Sequence, residues 1–386
     1  MAINKTDKVL NVPTLRFPGF TDKWETSRLS SYLIENKERN RNNEFGKDKV
    51  LSVSGEEGIV NQIEHLGRSF AGKSVSDYHV VRHGNIVYTK SPLKEYPYGI
   101  VKYNRGVDGI VSTLYAVYES KDSSYGPFVE YYFALATRVN RYFKPIVRIG
   151  AKHDMKIGNE EVLQNTVIFP NIEEQKKIAD FLSLLDERIA LQSKLIEDLK
   201  KLKSAIRAAI FQQLKKTANQ MRAGAELLEY EQPTKYLVSD TEYSQDKSLT
   251  PVLTANKSLI LGYTDEKFGI YKKGDCIILD DFTLDLKYIK FPFKVKSSAI
   301  KILRAKNGVS LRYMYEYLNW LELTPLGHNR HYISMIEPMQ FYCPEVQVQE
   351  KIATTLEKAD EKIQSESRLF DVLTRQKYFL LSAMFI

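Results

Sequence analysis

Residues 67–74 (GRSFAGKS) have the spacing G-x-x-x-x-G-K-[ST] of a loop that cradles nucleotide phosphates with backbone N–H groups and a lysine. That chemistry needs a buried strand before the loop and a helix whose amino end faces the phosphates. Residues 61–66 (NQIEHL) make a poor buried strand, and residues 75–88 read as loop followed by strand. The segment at 276–281 (CIILDD) imitates a magnesium-binding strand, but it belongs to another part of the chain. His79 and His83 lie four apart in a strand-like stretch, where that spacing does not converge. His328 and His331 with Cys343 sketch a zinc set without a CxxC pair or a third close ligand. The chain has no Gly-x-Ser-x-Gly elbow, no cysteine with a histidine at motif spacing and no Asn/Asp-Pro-Pro-Tyr/Phe tetrapeptide. The residues therefore assign no catalytic, cofactor-binding or metal-ligating role, and an NTPase built on residues 67–74 is the weakest of the readings considered.

A better-supported chemistry is contact with a polyanion. Two glycine-led, basic turns occupy equivalent places, residues 150–156 (GAKHDMK) and 327–334 (GHNRHYIS). They supply Lys152, His153 and Lys156 in the first, and His328, Asn329, Arg330 and His331 in the second. Further candidates are Lys90, Ser91, Tyr98, Lys102, Tyr103, Asn104 and Arg105, then Lys287, Tyr288, Lys290, Lys294 and Lys296. Lys and Arg contact phosphates and release counterions, while Arg, Asn and Ser can read base edges. The competing reading of each residue is ordinary solvated surface charge.

Such residues need a mount, and the chain contains one long helix twice, 174 residues apart without a gap. Residues 170–212 and 344–386 share Pro170/Pro344, Gln175/Gln349, Ile178/Ile352, Leu182/Leu356, Asp186/Asp360, Ile189/Ile363, Leu199/Leu373 and Lys203/Lys377. The period is too long for a solenoid repeat, so it marks two copies of a module, each a globular head followed by a helix. Apolar residues recur at alternating four and three spacing through Ile178, Leu182, Leu185, Ile189, Ile196, Leu199, Ile206 and Ile210. The second copy gives Ile352, Leu356, Ala359, Ile363, Phe370, Leu373, Leu380 and Met384. Gln192/Glu366 and Lys203/Lys377 fill the polar points of this heptad seam. About forty residues make a helix of roughly 60 Å, more than one head can cover, so the two helices are expected to pack on each other. The terminal run at 379–386 (FLLSAMFI) needs a docking site on the first half or on a partner.

The predicted architecture is α+β: a mostly β head at 1–168, a helix at 169–216, a second head at 217–343 and a second helix at 344–386. Strands are expected at 48–53, 84–88, 99–103 and 109–118, with one helix over 128–142; in the second head, strands at 274–279 and 298–303 and a helix at 311–321 answer them. Of the net charge of +8, the helical segments hold +2 and the heads the remainder, which suits a polyanion and equally an ordinary basic protein. The start of the chain has no apolar run like a signal peptide, no stretch is of membrane length, and two separated cysteines suggest reduced thiols; a cytoplasmic location is expected.

The opening at 12–20 (VPTLRFPGF) followed by Trp24, the P-x-x-E-Q-x-x-I-A helix start at 170–179, and its second copy at 344–353 with Val348 in place of glutamate, carry a resemblance. With the head–helix–head–helix order, the chain resembles the specificity subunit of type I restriction–modification enzymes over essentially its whole length. The resemblance implies two target recognition domains reading the halves of a split, asymmetric sequence in double-stranded DNA. It implies spacer helices packed antiparallel that set the distance between half-sites and dock two modification subunits. S-adenosylmethionine, ATP and magnesium would sit on partner subunits, with restriction/translocase subunits adding translocation and cleavage, and this chain would hold no cofactor and perform no chemistry. A scaffold whose coiled coil joins two proteins without DNA is the alternative from another class.

Overall fold

Apolar runs bounded by turns build the first head of the computed structural model, which describes residues 11–92, 96–149, 155–217, 220–254, 258–327 and 329–386. Four antiparallel strands, β1 (Leu33–Glu35), β2 (Ile86–Thr89), β3 (Val101–Tyr103) and β4 (Tyr115–Ser120), pair in the order β1-β4-β2-β3. Every residue of β2 is buried because the sheet is covered on both faces. Ile86 and Tyr88 face the main core, whereas Val87 and Val117 face a smaller cluster with Leu51, Val81 and Val111. The expected strand over 109–118 is two strands. Gly109–Val111 pairs with His79–Val81, and a turn closed by Tyr115 N–H donating to Ser112 O (3.0 Å) leads into β4.

The single helix expected over 128–142 is also two, α1 (Gly126–Tyr132) and α2 (Ala136–Phe143). All seven residues of α1 are buried, so it has no solvent face to continue. An extended Leu135 re-aims the chain, and Arg138, Val139, Tyr142 and Phe143 then form one buried stripe. Phe143 stacks on Tyr88 at 4.4 Å between ring centroids. After strand Thr166–Phe169 pairs with Glu25–Arg28, the chain enters α3 (Ile172–Thr217), whose first turn is capped by Asn171 accepting Glu174 N–H at 2.9 Å.

The second head repeats the sheet. Strands β5 (Leu228–Glu231), β6 (Cys276–Asp280), β7 (Leu286–Ile289) and β8 (Ile300–Ala305) pair in the order β5-β8-β6-β7. In both heads the first strand pairs with the last, and the second strand lies between the last and the third. The central β6 is wholly buried, and burial pushes its Cys276 thiol up to about 12. A three-stranded sheet of Ile260–Thr264, Thr250–Leu253 and Lys294–Val295 is added beside it. Helix α4 (Leu311–Leu321) follows with the bounds read from the sequence, and α5 (Val346–Ala383) ends the module.

Two compact units divide the chain, one of Met1–Leu191 with Leu369–Ile386, the other of Gln192–Arg368. Each therefore holds a head and a stretch of both long helices. In the first unit the terminal apolar run finds its dock on the head: Leu380, Leu381, Met384 and Phe385 join the core with Trp24 and Phe128. Buried Arg138 donates to Leu381 O, and Phe385 lies 5.2 Å from Phe128 between ring centroids. Leu15 N–H donates to Ala383 O at 2.9 Å, so the opening segment also closes on α5.

Candidate nucleic-acid interface and its helical mount

The two helices run antiparallel within each unit, with the heptad residues facing each other. Ile178, Leu182 and Leu185 are buried with Leu373 and Leu380 in the first unit. In the second, Ile352 and Leu356 are buried and Ile206 and Ile210 pack against the same core. Ile189, Ile196, Leu199, Ile363 and Phe370 are half-buried, as a two-helix seam without head cover requires.

The polar points of the seam pair crosswise. Lys203 Nζ lies 2.7 Å from Asp360, and its repeat equivalent Lys377 lies 2.5 Å from Asp186, the equivalent of Asp360. Gln192 meets its own equivalent, Glu366, donating to the carboxylate at 2.6 Å and to the backbone carbonyl at 3.0 Å. Each copy of the helix thus makes the other's ion pair, and residue 192 marks the point where the repeat opposes itself.

The shared glutamine and aspartate also hold the heads. Gln175 Oε1 accepts the N–H of Tyr125, which precedes α1, at 3.0 Å, and its amide donates to Pro170 O at 3.0 Å. Gln349 does the same for Ser310, the residue preceding α4, at 2.9 Å, and donates to Pro344 O at 2.7 Å. Both glutamines are buried, so every amide partner matters. Three turns further on, Asp186 accepts the Tyr131 hydroxyl at 2.8 Å and Asp360 accepts Arg312. Burial pushes the Tyr131 hydroxyl well above the ordinary phenol range, and the neighbouring Asp186 adds to this. Glu174 is buried in a bidentate pair with Arg16 at 2.6 Å on both arms. The second copy has no such opening segment before its head, and Val348 stands there, 40% exposed.

The candidate polyanion contacts divide by burial. Lys294 is removed from the surface: its side chain is fully buried, ion-paired with Glu266, donating to Phe268 O at 3.0 Å and lying over the Phe268 ring. His331 is removed likewise, 2% exposed, with its N–H donating to Asp281 Oδ1 at 3.0 Å. Lys102 lies 3.4 Å from Glu130, and Arg105 pairs with the same carboxylate while remaining part-exposed. Lys90, half-buried, donates to Asn159 at 2.8 Å, and exposed Lys290 pairs with Glu357 of α5. Ser91, Tyr98 and Lys287 are half-buried, whereas Lys156, Lys296, Asn329 and Arg330 are exposed. Lys152, His153 and His328 lie outside the described residues.

Asp281 organises the second turn, accepting the N–H groups of His331 and Tyr332, and thereby presents Asn329 and Arg330 outward, with Arg330 5.9 Å over Phe282. Residues 67–74 do not form strand, loop and helix. A short helix, Gln62–Leu66, precedes them, Gly67 caps it at φ +74°, and loop leads on to strand His79–Val81. That loop instead carries a surface pair missed in the sequence, Arg68 4.5 Å over Phe70, whose ring is 58% exposed. An arginine stacked on an exposed aromatic is a surface on which a base can stack. The adjacency R-S-F was its only sequence signal.

Residues 21–201 match the family described as Type I restriction modification DNA specificity domain. The chain is similar to the EcoR124I/EcoR124II type I restriction enzyme specificity subunit of Escherichia coli, 48% identical over 115 residues. That match spans 28% of this chain and 28% of the relative. In fold it is similar to the S subunit of a type I restriction-modification system from M. genitalium, at TM-score 0.62 and 16% identity, covering 97% of this chain and 99% of that one. A chain from a structure of type I R-M system assembly and conformational transition aligns at TM-score 0.53 and 14% identity, covering 97% and 99%.

Proposed function

We propose that this chain, whose residues 21–201 match the type I restriction modification DNA specificity domain, is the address-reader of a modification and restriction complex. Two heads with one sheet order, each pinned to a helix pair by duplicated residues, support a protein that reads two half-sites in double-stranded DNA. The observation that carries the reading is the crosswise pairing of Lys203 with Asp360 and Lys377 with Asp186, which gives both heads equivalent mounts. Exposed Lys156, Lys296 and Arg330 would contact phosphates, while Asn329 and the Arg68–Phe70 pair would approach bases. S-adenosylmethionine, ATP and magnesium would act on modification and restriction/translocase subunits, two modification subunits docking on the helices, and base flipping would belong to them. Among the described residues no helix is long and apolar enough to cross a membrane, and the reading places the complex in the cytoplasm.

Co-expression with the neighbouring modification subunit, followed by genome-wide mapping of methylated adenines, tests this. A two-part motif with a fixed unread gap is expected. Methylation without any sequence preference, or a purified complex that ignores DNA at low salt, would favour the scaffold alternative instead.

A further inference from the structure

We propose that Asp186 and Asp360 are the positioning residues that set the unread gap between half-sites, and that they do so without touching DNA. This rests on the DNA-reading function and extends it to how the gap is held. Each aspartate is a three-way junction inside its own unit. Asp186 receives Tyr131 of α1 at 2.8 Å and Lys377 of α5 at 2.5 Å. Asp360 receives Arg312 of α4 and, at 2.7 Å, Lys203 of α3. One carboxylate therefore ties head, own helix and opposing helix at a single point.

The junctions are alike where the repeat is alike and different where the heads differ. Aspartate and lysine are shared by the two copies, but the head offers a phenol in one unit and a guanidinium in the other. A fold-stabilising contact inherited by duplication would be expected to keep its head partner too. Here the mount has kept its acceptor while each head meets it with a donor of its own. In the second unit the junction is enlarged by Glu316 of α4, fully buried, which binds Lys203 at 3.0 Å and Arg312 at 3.0 Å. Removing one partner of such a buried carboxylate is costly because it leaves the charge unpaired, whereas Asp186 and Asp360 are themselves more than a third exposed.

Two anchors on each head restrict its tilt. The glutamine latch holds the start of the head helix, and the aspartate lies eleven residues later, about 16 Å along the long helix. The apolar core that Ile178, Leu182 and Leu185 share with the first head already joins head to helix, and the two polar anchors add directional ties that restrict the angle between them. Half-site recognition belongs to the head surface, and the gap depends on the length of the helices together with the angle at which each head leaves them.

Methylated-adenine maps from cells co-expressing the modification subunit with wild type, Asp186→Asn, Asp360→Asn or Tyr131→Phe test this. Tyr131→Phe removes the hydroxyl's contacts with Asp186 and Ser183 without altering any charge, and guards against loss of folding in the charge variants. The expected result is unchanged bases in both half-sites with the gap relaxed, so that sites one base pair longer or shorter rise from background to at least about a tenth of the methylated set. Altered half-site bases, or a gap as strict as wild type in all three variants once the complex is assembled, overturns the proposal. A wild-type map lacking any two-part motif would instead overturn the DNA-reading function.

Discussion

Gln175 and Gln349 satisfy the backbone at the entrance of each head helix. Replacing either with Ala leaves a part-buried N–H without this acceptor, a loss of about 0.5–1.5 kcal/mol. Denaturant unfolding of the single variants should show comparable losses at both positions. His79 sets a second, pH-dependent effect. Burial holds its imidazole down to about 4 in the folded protein, against about 6.5 when unfolded. Above pH 6.5 it is neutral in both states. As pH falls from 6.5 towards 4 the unfolded chain takes up a proton that the folded chain refuses, and stability drops by up to about 3 kcal/mol. The loss between pH 7 and pH 5 should be smaller in His79→Val than in wild type, and equal losses would remove the assignment. Glutamine and aspartate identities were visible in the repeat, but their roles were not, because Tyr131 and Arg312 occupy different steps of the head helices.

The long helices are the elements the sequence describes best. Heptad spacing located the seam, and the structure places Ile178, Leu182, Leu185 and Leu373 in it, buried. Ile189 lies where the seam is only half-covered, packed against the first core. Introducing a carboxylate there with Ile189→Asp should cost about 2–4 kcal/mol through lost packing and an unpaired charge. Pull-down of the modification subunit should fall before sequence preference changes; a variant that assembles normally yet methylates new sequences would contradict the seam. Strand and helix breaks in the first head were less legible. Residues 109–118 and 128–142 each read as one element because neither break carries a Gly or Pro signal, and in Gly126–Tyr132 burial on every side erases the periodicity that marks a boundary. Helix α4 keeps a half-exposed face and was bounded correctly for that reason.

For the whole molecule, the crosswise ion pairs alter how the helices can be lengthened. Four residues inserted near Lys200 alone would shift Lys203 away from Asp360 while leaving Lys377 on Asp186. Matched four-residue insertions, after Lys200 and after Ile363, restore the pairing and lengthen the helices by about 6 Å. The unread gap should grow by roughly one to two base pairs. Mapping methylated adenines would show it, and an unchanged gap would contradict spacing of the half-sites by the helices. The candidate polyanion contacts illustrate where sequence reading stops: charge marked His331 and Lys294 as surface residues, whereas only the fold reveals that Asp281 and Glu266 hold them inside.

Gln192 and Glu366 are equivalent positions of the two copies, and they face each other. If the first module associated with a second copy of itself, glutamine would oppose glutamine, and two amides can bond reciprocally. If the second module did so, two carboxylates would meet and repel. The amide at one position and the acid at the other therefore favour the joined chain over a pair of second modules, while leaving a pair of first modules electrostatically permitted.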